Sequence, residues 1–194
     1  MKLTSNKIGL LIAAIAAVTV IPAHATEFNQ LVAAKSAVSF IFKQMNVPVT
    51  GSFKRYTGQI DFDPANPTLA KASIDIALDS IDAGSEEAND AVADKLWFNT
   101  KVYPVAHFVS TSVKPLGNNH FEIAGKMTIK GKTLATSTPA TFHQEGSNGV
   151  FEGSFILKRA DYAIGEGMWA DFGTVANEVQ IRFKLVATAT GKKQ

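Results

Sequence analysis

The chain has 194 residues, with 19 Lys and Arg against 17 Asp and Glu and no cysteine. That length suits one domain with a substantial core, and the missing cysteine excludes disulfides, thiolate metal sites, c-type haem attachment and lipid-modified cysteine together. The basic excess falls in the first 25 residues, where Lys2 and Lys7 stand without an acid, so the remainder carries 17 basic and 17 acidic residues and gives no electrostatic reason to expect nucleic acid.

Residues 8–21 form an apolar run broken only by Gly9 and Thr19, and Ala23-His24-Ala25 is a small-x-small site. A positive start, an apolar run and such a site are the parts of a secretory signal peptide, and the run is short for a bilayer span of about 20 residues. Cleavage after Ala25 is expected, leaving a single secreted domain over residues 26–194 with no transmembrane span.

The elements then follow with period two. A short strand is predicted over 28–33. Residues 37–44 alternate, with Val38, Phe40 and Phe42 on one face, and Pro48 and Gly51 interrupt the pattern. Residues 51–63 read as a strand with a break near Gly58, because Phe53 and the pair Ile60, Phe62 have opposite parity. Two prolines mark a turn at 63–67. Residues 71–80 alternate with Ile74, Ile76 and Leu78 inward.

The period changes at 86–96, where Ala88, Val92, Ala93 and Leu96 fall at helical spacing with acids between them. This predicts one short helix with Ser85 as its N-cap and Glu86 and Glu87 at the positive end of the dipole. Its apolar end, Leu96-Trp97-Phe98, is either a cavity mouth or an anchor of a surface helix.

Strands resume at 105–113, at 121–130 with Phe121, Ile123, Met127 and Ile129 in one row together with Gly125, at 133–144, and after the hairpin signal Gly146-Ser147-Asn148-Gly149. Phe151, Phe155 and Leu157 alternate next, residues 160–177 form an irregular loop with Trp169, and 178–189 close the domain with Val179, Ile181, Phe183 and Leu185 inward. About eight antiparallel strands with one apolar face describe a barrel or a sandwich. An eight-stranded barrel is filled by side chains or holds one ligand. The inward rows are rich in Phe, which suits either case.

Catalytic signals are thin. His107, His120 and His143 lack metal-ligand spacing, and no nucleophile elbow, Walker loop or dinucleotide fingerprint appears, so no enzyme, cofactor or metal is expected. Lys54 and Arg55 beside Tyr56, Lys101 beside Tyr103, and Arg159 near Asp161 are either a rim that receives a polar head group or solvated strand ends.

Gly51-x-Phe53, Gly58-Gln59-Ile60-Asp61-Phe62-Asp63-Pro64, Ser80-Ile81-Asp82, Phe98, Tyr103-Pro104, Phe108-x-Ser110, Gly125-x-Met127-Thr128-Ile129-Lys130-Gly131 and Arg159-x-Asp161, in this order, resemble the YceI-like family of bacterial secreted proteins. The resemblance implies a lipocalin-like, extended antiparallel β-barrel with one short helix after the fourth or fifth strand, often dimeric, non-catalytic, and enclosing a long isoprenoid lipid such as a quinone or a polyprenyl phosphate. The wall it implies is Phe40, Phe42, Phe62, Ile76, Leu96, Phe98, Phe108, Met127, Ile129, Phe155, Leu157 and Phe183. The head group would meet Arg159, Arg55 and Tyr103 at the rim. Asn89 before Asp90, and Asn99 after the helix end, stand where many relatives have Arg and Asp. Lys43-Gln44 leading into Val47-Pro48-Val49, with Trp169-Ala170-Asp171, is similar to a branch associated with membrane b-type cytochromes, which favours a quinone. The alternative expectation is a solid barrel that docks on such a cytochrome through Trp169.

Overall fold

The structure is a computed structural model that describes residues 27–189; residues 1–26, which contain the expected signal peptide, and 190–194 lie outside them. Eleven strands and one α-helix follow in chain order: β1 Phe28–Leu31, β2 Ala37–Gln44, β3 Val47–Phe53, β4 Tyr56–Phe62, β5 Lys71–Ala77, β6 Ile81–Asp82, α1 Glu86–Ala93, β7 Val105–Gly117, β8 His120–Ile129, β9 Lys132–Glu145, β10 Asn148–Lys158 and β11 Glu178–Thr188.

Strands β4, β5, β7, β8, β9, β10 and β11 lie side by side, and β1 closes them into an eight-stranded antiparallel barrel by pairing with β4 and with Ala187 and Thr188 of β11. The first half of β11 pairs instead with β2, from Gln180 opposite Ile41 to Lys184 opposite Ala37, and β3 and then β6 extend the sheet from there. One strand therefore serves the closed ring at one end and a side ribbon at the other.

Two sequence expectations are corrected here. The break expected near Gly58 falls instead at Lys54-Arg55, and Gly58 lies within β4 opposite Ile74. The parity change between Phe53 and Ile60 thus marks two separate strands. Pro48 and Gly51 do not interrupt the pattern but sit inside β3, opposite Lys43 and Phe40. Proline is tolerated because β3 has a strand partner on one side only at that point, its second pairing being confined to Ser52 and Phe53. The tight β2–β3 turn uses Met45 and Asn46, both at positive φ, the backbone of a two-residue hairpin.

The helix begins as expected, the Ser85 side chain accepting from the Ala88 amide at 3.2 Å. It stops at Ala93, three residues short of Leu96. Its last carbonyls are satisfied by the chain that turns back beneath it: the amides of Phe98 and Thr100 donate to the Val92 and Ala93 carbonyls, each at 3.0 Å. That return places Trp97 and Phe98 under the helix and toward the barrel.

Candidate functional site

The barrel is hollow. A cavity of about 250 Å³ runs through its interior, and Phe121, Ile123, Met127 and Ile129, the inward row of β8, all line it. At 3.4 Å per residue this row spans roughly 27 Å. The cavity is therefore a long slot, suited to a chain rather than to a compact molecule. Its wall is apolar except at Lys71, Thr138 and Arg159, and the Thr138 hydroxyl is turned onto the Pro139 carbonyl at 3.1 Å.

One end is plugged by aromatic rings. Phe62 stands 4.6 Å from Phe142, 5.0 Å from Phe151 and 5.6 Å from Phe121, and Phe28 is 5.5 Å from Phe142. Such edge and tilted contacts add to burial. The other end is formed by Trp97 and Phe98, Arg159, and Ile164 and Val175 of the 160–177 loop.

What keeps the middle open is a repeated arrangement of phenylalanine over glycine. Phe40 lies opposite Gly51 and Phe183 opposite Gly153, while Phe108 crosses to Gly125 on β8. A Cβ on these glycines would fall 2.2 Å, 2.5 Å and 2.4 Å from the respective ring. Each ring lies against the wall in the space a side chain would fill, and so leaves the centre free. Accordingly Phe42, Phe98, Phe108, Phe155 and Phe183 face inward and yet are only half-buried.

Phe40, Phe42, Phe62, Ile76, Phe98, Phe108, Met127, Ile129, Phe155, Leu157 and Phe183 all line the slot. Leu96 does not. Its carbonyl accepts from the amides of Gly165 and Glu166 at 2.9 and 2.8 Å and its side chain would meet a Cβ on Gly167 at 3.6 Å, so it fastens the 160s loop from outside. Ile164 and Val175 come from that loop, where no periodic pattern marked them.

The expected rim is not assembled. Arg55 is exposed and paired with Asp79 at 2.6 Å, and Lys54 with Asp82 at 2.9 Å, both away from the slot. Tyr103 packs on Gly131, where a Cβ would lie 2.9 Å from its ring. Arg159 is the larger correction: it does border the slot, but it is 2% exposed. Its Nε donates to Ala176 O at 3.2 Å, Nη1 to Ile164 O and Gly165 O at 2.8 and 2.9 Å, and Nη2 to Trp169 O and Val175 O at 2.7 and 2.8 Å. All five donors of a guanidinium are thereby used. Burial also pushes its pKa down from the ordinary arginine value.

Trp169 is half-buried against Trp97, with ring centroids 5.5 Å apart. Lys130 reaches the same loop, donating to Ala163 O at 2.6 Å and to Glu166 at 2.9 Å. The histidines among the described residues lie outside the slot: His107 bonds Asp75, His143 bonds Glu145, and His120 bonds the Asn118 carbonyl.

Comparison with known proteins agrees with this geometry. The model of the YceI-like domain matches residues 30–187. A UPF0312 protein of Pseudomonas fluorescens is 31% identical over 144 residues, covering 69% of this chain and 71% of its own. The crystal structure of BcnA from Burkholderia cenocepacia is similar at 45% identity with a TM-score of 0.80, over 82% of this chain and all of that one. A polyisoprenoid binding domain from Saccharophagus degradans, implicated in plant cell wall breakdown, shares the fold at 18% identity with a TM-score of 0.66, over 86% of this chain and all of that domain. An eight-stranded barrel built around an apolar slot, matched by the family model over nearly all of its described length, makes this chain a member of the YceI-like family.

Proposed function

We propose that the protein is a non-catalytic periplasmic binding protein that carries or stores a long isoprenoid lipid inside the barrel. The observation that supports this most is the slot itself, long, narrow and lined by phenylalanine. Each methylene moved from water into such a wall is worth about 0.8 kcal/mol, so a many-carbon tail supplies most of the affinity and the head group supplies orientation. The Saccharophagus domain of the same fold is a polyisoprenoid binding domain, which agrees with that ligand class. The open interior favours this reading over a solid barrel acting only as a docking module.

Export through the leader at residues 1–25 belongs to the proposal and would put the barrel beside membranes that contain such lipids. The test is native mass spectrometry of the protein purified from its own periplasm, with an organic extract of the same sample analysed alongside. A chain that begins at Thr26 with an added mass matching a polyprenyl lipid is the expected result. A bare protein mass that stays bare after incubation with quinone and with polyprenyl phosphate would overturn it.

A further inference from the structure

A long chain threaded end-on into the slot would have to displace the phenylalanine plug at one end or break into the loop around Arg159 at the other. The wall offers a third way. β9 and β10 pair from Glu145 opposite Asn148 to Ala140 opposite Gly153 and no further, although β9 continues along β8 to Lys132 and β10 continues along β11 to Lys158. The next rung would set Ser154 against Pro139. The Pro139 carbonyl faces β10, 2.5 Å from where a Gly153 Cβ would stand, and on that side proline has no N–H to donate. From there the strands separate, and a seam runs beside Phe155 and Leu157 of the slot.

Leu134 marks where this seam meets the interior. It stands directly opposite Met127, a residue of the slot wall, and so lies on the inner face of the sheet, yet it is 38% exposed. In a closed barrel an inner-face leucine would be buried. The seam is covered by the 160–177 loop, whose Tyr162 and Ile164 pack in one cluster with Ile129 and Leu157. Arg159 binds that loop to itself, since its five acceptors all lie between residues 164 and 176. The loop is tied to β2, where the amide of Ala176 donates to Lys43 O and that of Met45 to Thr174 O, each at 2.9 Å, and to the Leu96 carbonyl. Among the described residues its only hydrogen bonds to the β8–β9 hairpin come from one side chain, Lys130, which reaches Ala163 O and Glu166.

We propose that the β9–β10 seam is the portal of the slot, that the loop over it is a flap kept in one piece by Arg159, and that Lys130 is its latch. A flexible lipid then enters sideways along its length, between lips that carry the exposed apolar residues Leu134 and Ile156. The inference rests on the carrier reading and adds to it the route of entry and the residue that sets the rate of exchange.

The test is stopped-flow binding and release of a short-tailed isoprenoid quinone, read by quenching of the emission of the two tryptophans, Trp97 and Trp169. Lys130→Met should speed uptake and release alike by roughly ten- to a hundredfold, the worth of hydrogen bonds from one charged donor, and leave Kd unchanged. Glu166→Gln keeps the bond to Ala163 O and should speed both by less. Phe172→Ala removes a half-exposed ring that lies over Arg159 on the outer side of the loop and should change neither rate. Unchanged rates in Lys130→Met overturn the inference. So does faster release with unchanged uptake, which would make Lys130 a ligand contact, and so does acceleration by Phe172→Ala alone, which would put the entrance at the end of the slot. If Lys130→Met fails to fold, Glu166→Gln decides by the same criteria. Absence of binding by this quinone and by its long-tailed counterpart would instead sink the carrier reading itself.

Discussion

Arg159 stands with its guanidinium carbon 5.4 Å from the Trp97 ring centroid while its five N–H donors hold the carbonyls of residues 164, 165, 169, 175 and 176. The residue is the fastener of the 160–177 loop. Arg159→Met leaves those carbonyls without their donors in a buried site, at about 1–3 kcal/mol for each group not rescued by water. Denaturant unfolding should therefore show a loss of roughly 3 kcal/mol or more. Arg159→Lys, with three donors for five acceptors, should recover part of it. A head-group receptor would behave otherwise, with weakened lipid binding and nearly unchanged stability.

Gly125 is required by Phe108 rather than by a turn. A Cβ there meets the ring at 2.4 Å and the Val109 carbonyl at 2.5 Å, so both a side chain and the backbone of β7 must move. Gly125→Ala should cost about 1–3 kcal/mol as an overpacking substitution. It should also push the ring into the slot and weaken long-chain ligands more than short ones. Equal affinity for both lengths, measured by fluorescence competition, would show that the phenylalanine-over-glycine arrangement does not keep the slot open.

Why the wall was legible and the ends were not has a physical basis. The period-two rows of β2, β8, β10 and β11 place Phe40, Phe42, Met127, Ile129, Phe155, Leu157 and Phe183 on one face, because alternation is imposed by the strand itself. A strand pattern does not tell whether facing rings meet or leave a gap. That depends on the cross-strand neighbours, here Gly51, Gly125 and Gly153, and on register no single strand contains. Arg159 misled for a related reason: a charge beside a loop reads as solvated, whereas this loop wraps around it and supplies five carbonyls from residues up to 17 positions away. Leu96 continued the helical spacing, but the chain turned back at Ala93 and carried it outward.

Ala106 is buried and borders the slot toward its Trp97 end, packed in one cluster with Leu78, Trp97, Ile129 and Leu157. Ala106→Phe places a ring in open space rather than against a filled core. Cavity filling of this kind commonly adds about 0.5–2 kcal/mol. The expected outcome is a folded barrel of unchanged or higher melting temperature that no longer retains lipid on purification. A variant that copurifies with the same lipid as the unsubstituted protein would show that the ligand does not pass this point.

The pH dependence of the loop follows from Lys130 and Glu166. Lys130 has a side chain only 8% exposed and bonds both Ala163 O and the Glu166 carboxylate. The hydrogen bond from Lys130, and then its charge, hold the Glu166 carboxyl below its usual value of 4.5. A carboxylate whose pKa is depressed in the folded state adds stability above the unfolded value and loses it as pH falls through the folded one. The contribution should be complete at pH 6, decline below about pH 4.5 and vanish in stronger acid. Because Glu166 is half exposed, the effect belongs to the loop rather than to the whole barrel. Amide hydrogen exchange at residues 163–169 should therefore quicken on acidification relative to β8, after correction for the intrinsic rate. Glu166→Gln should show faster exchange already at pH 6 and little further dependence, while identical pH profiles for both proteins would refute the link.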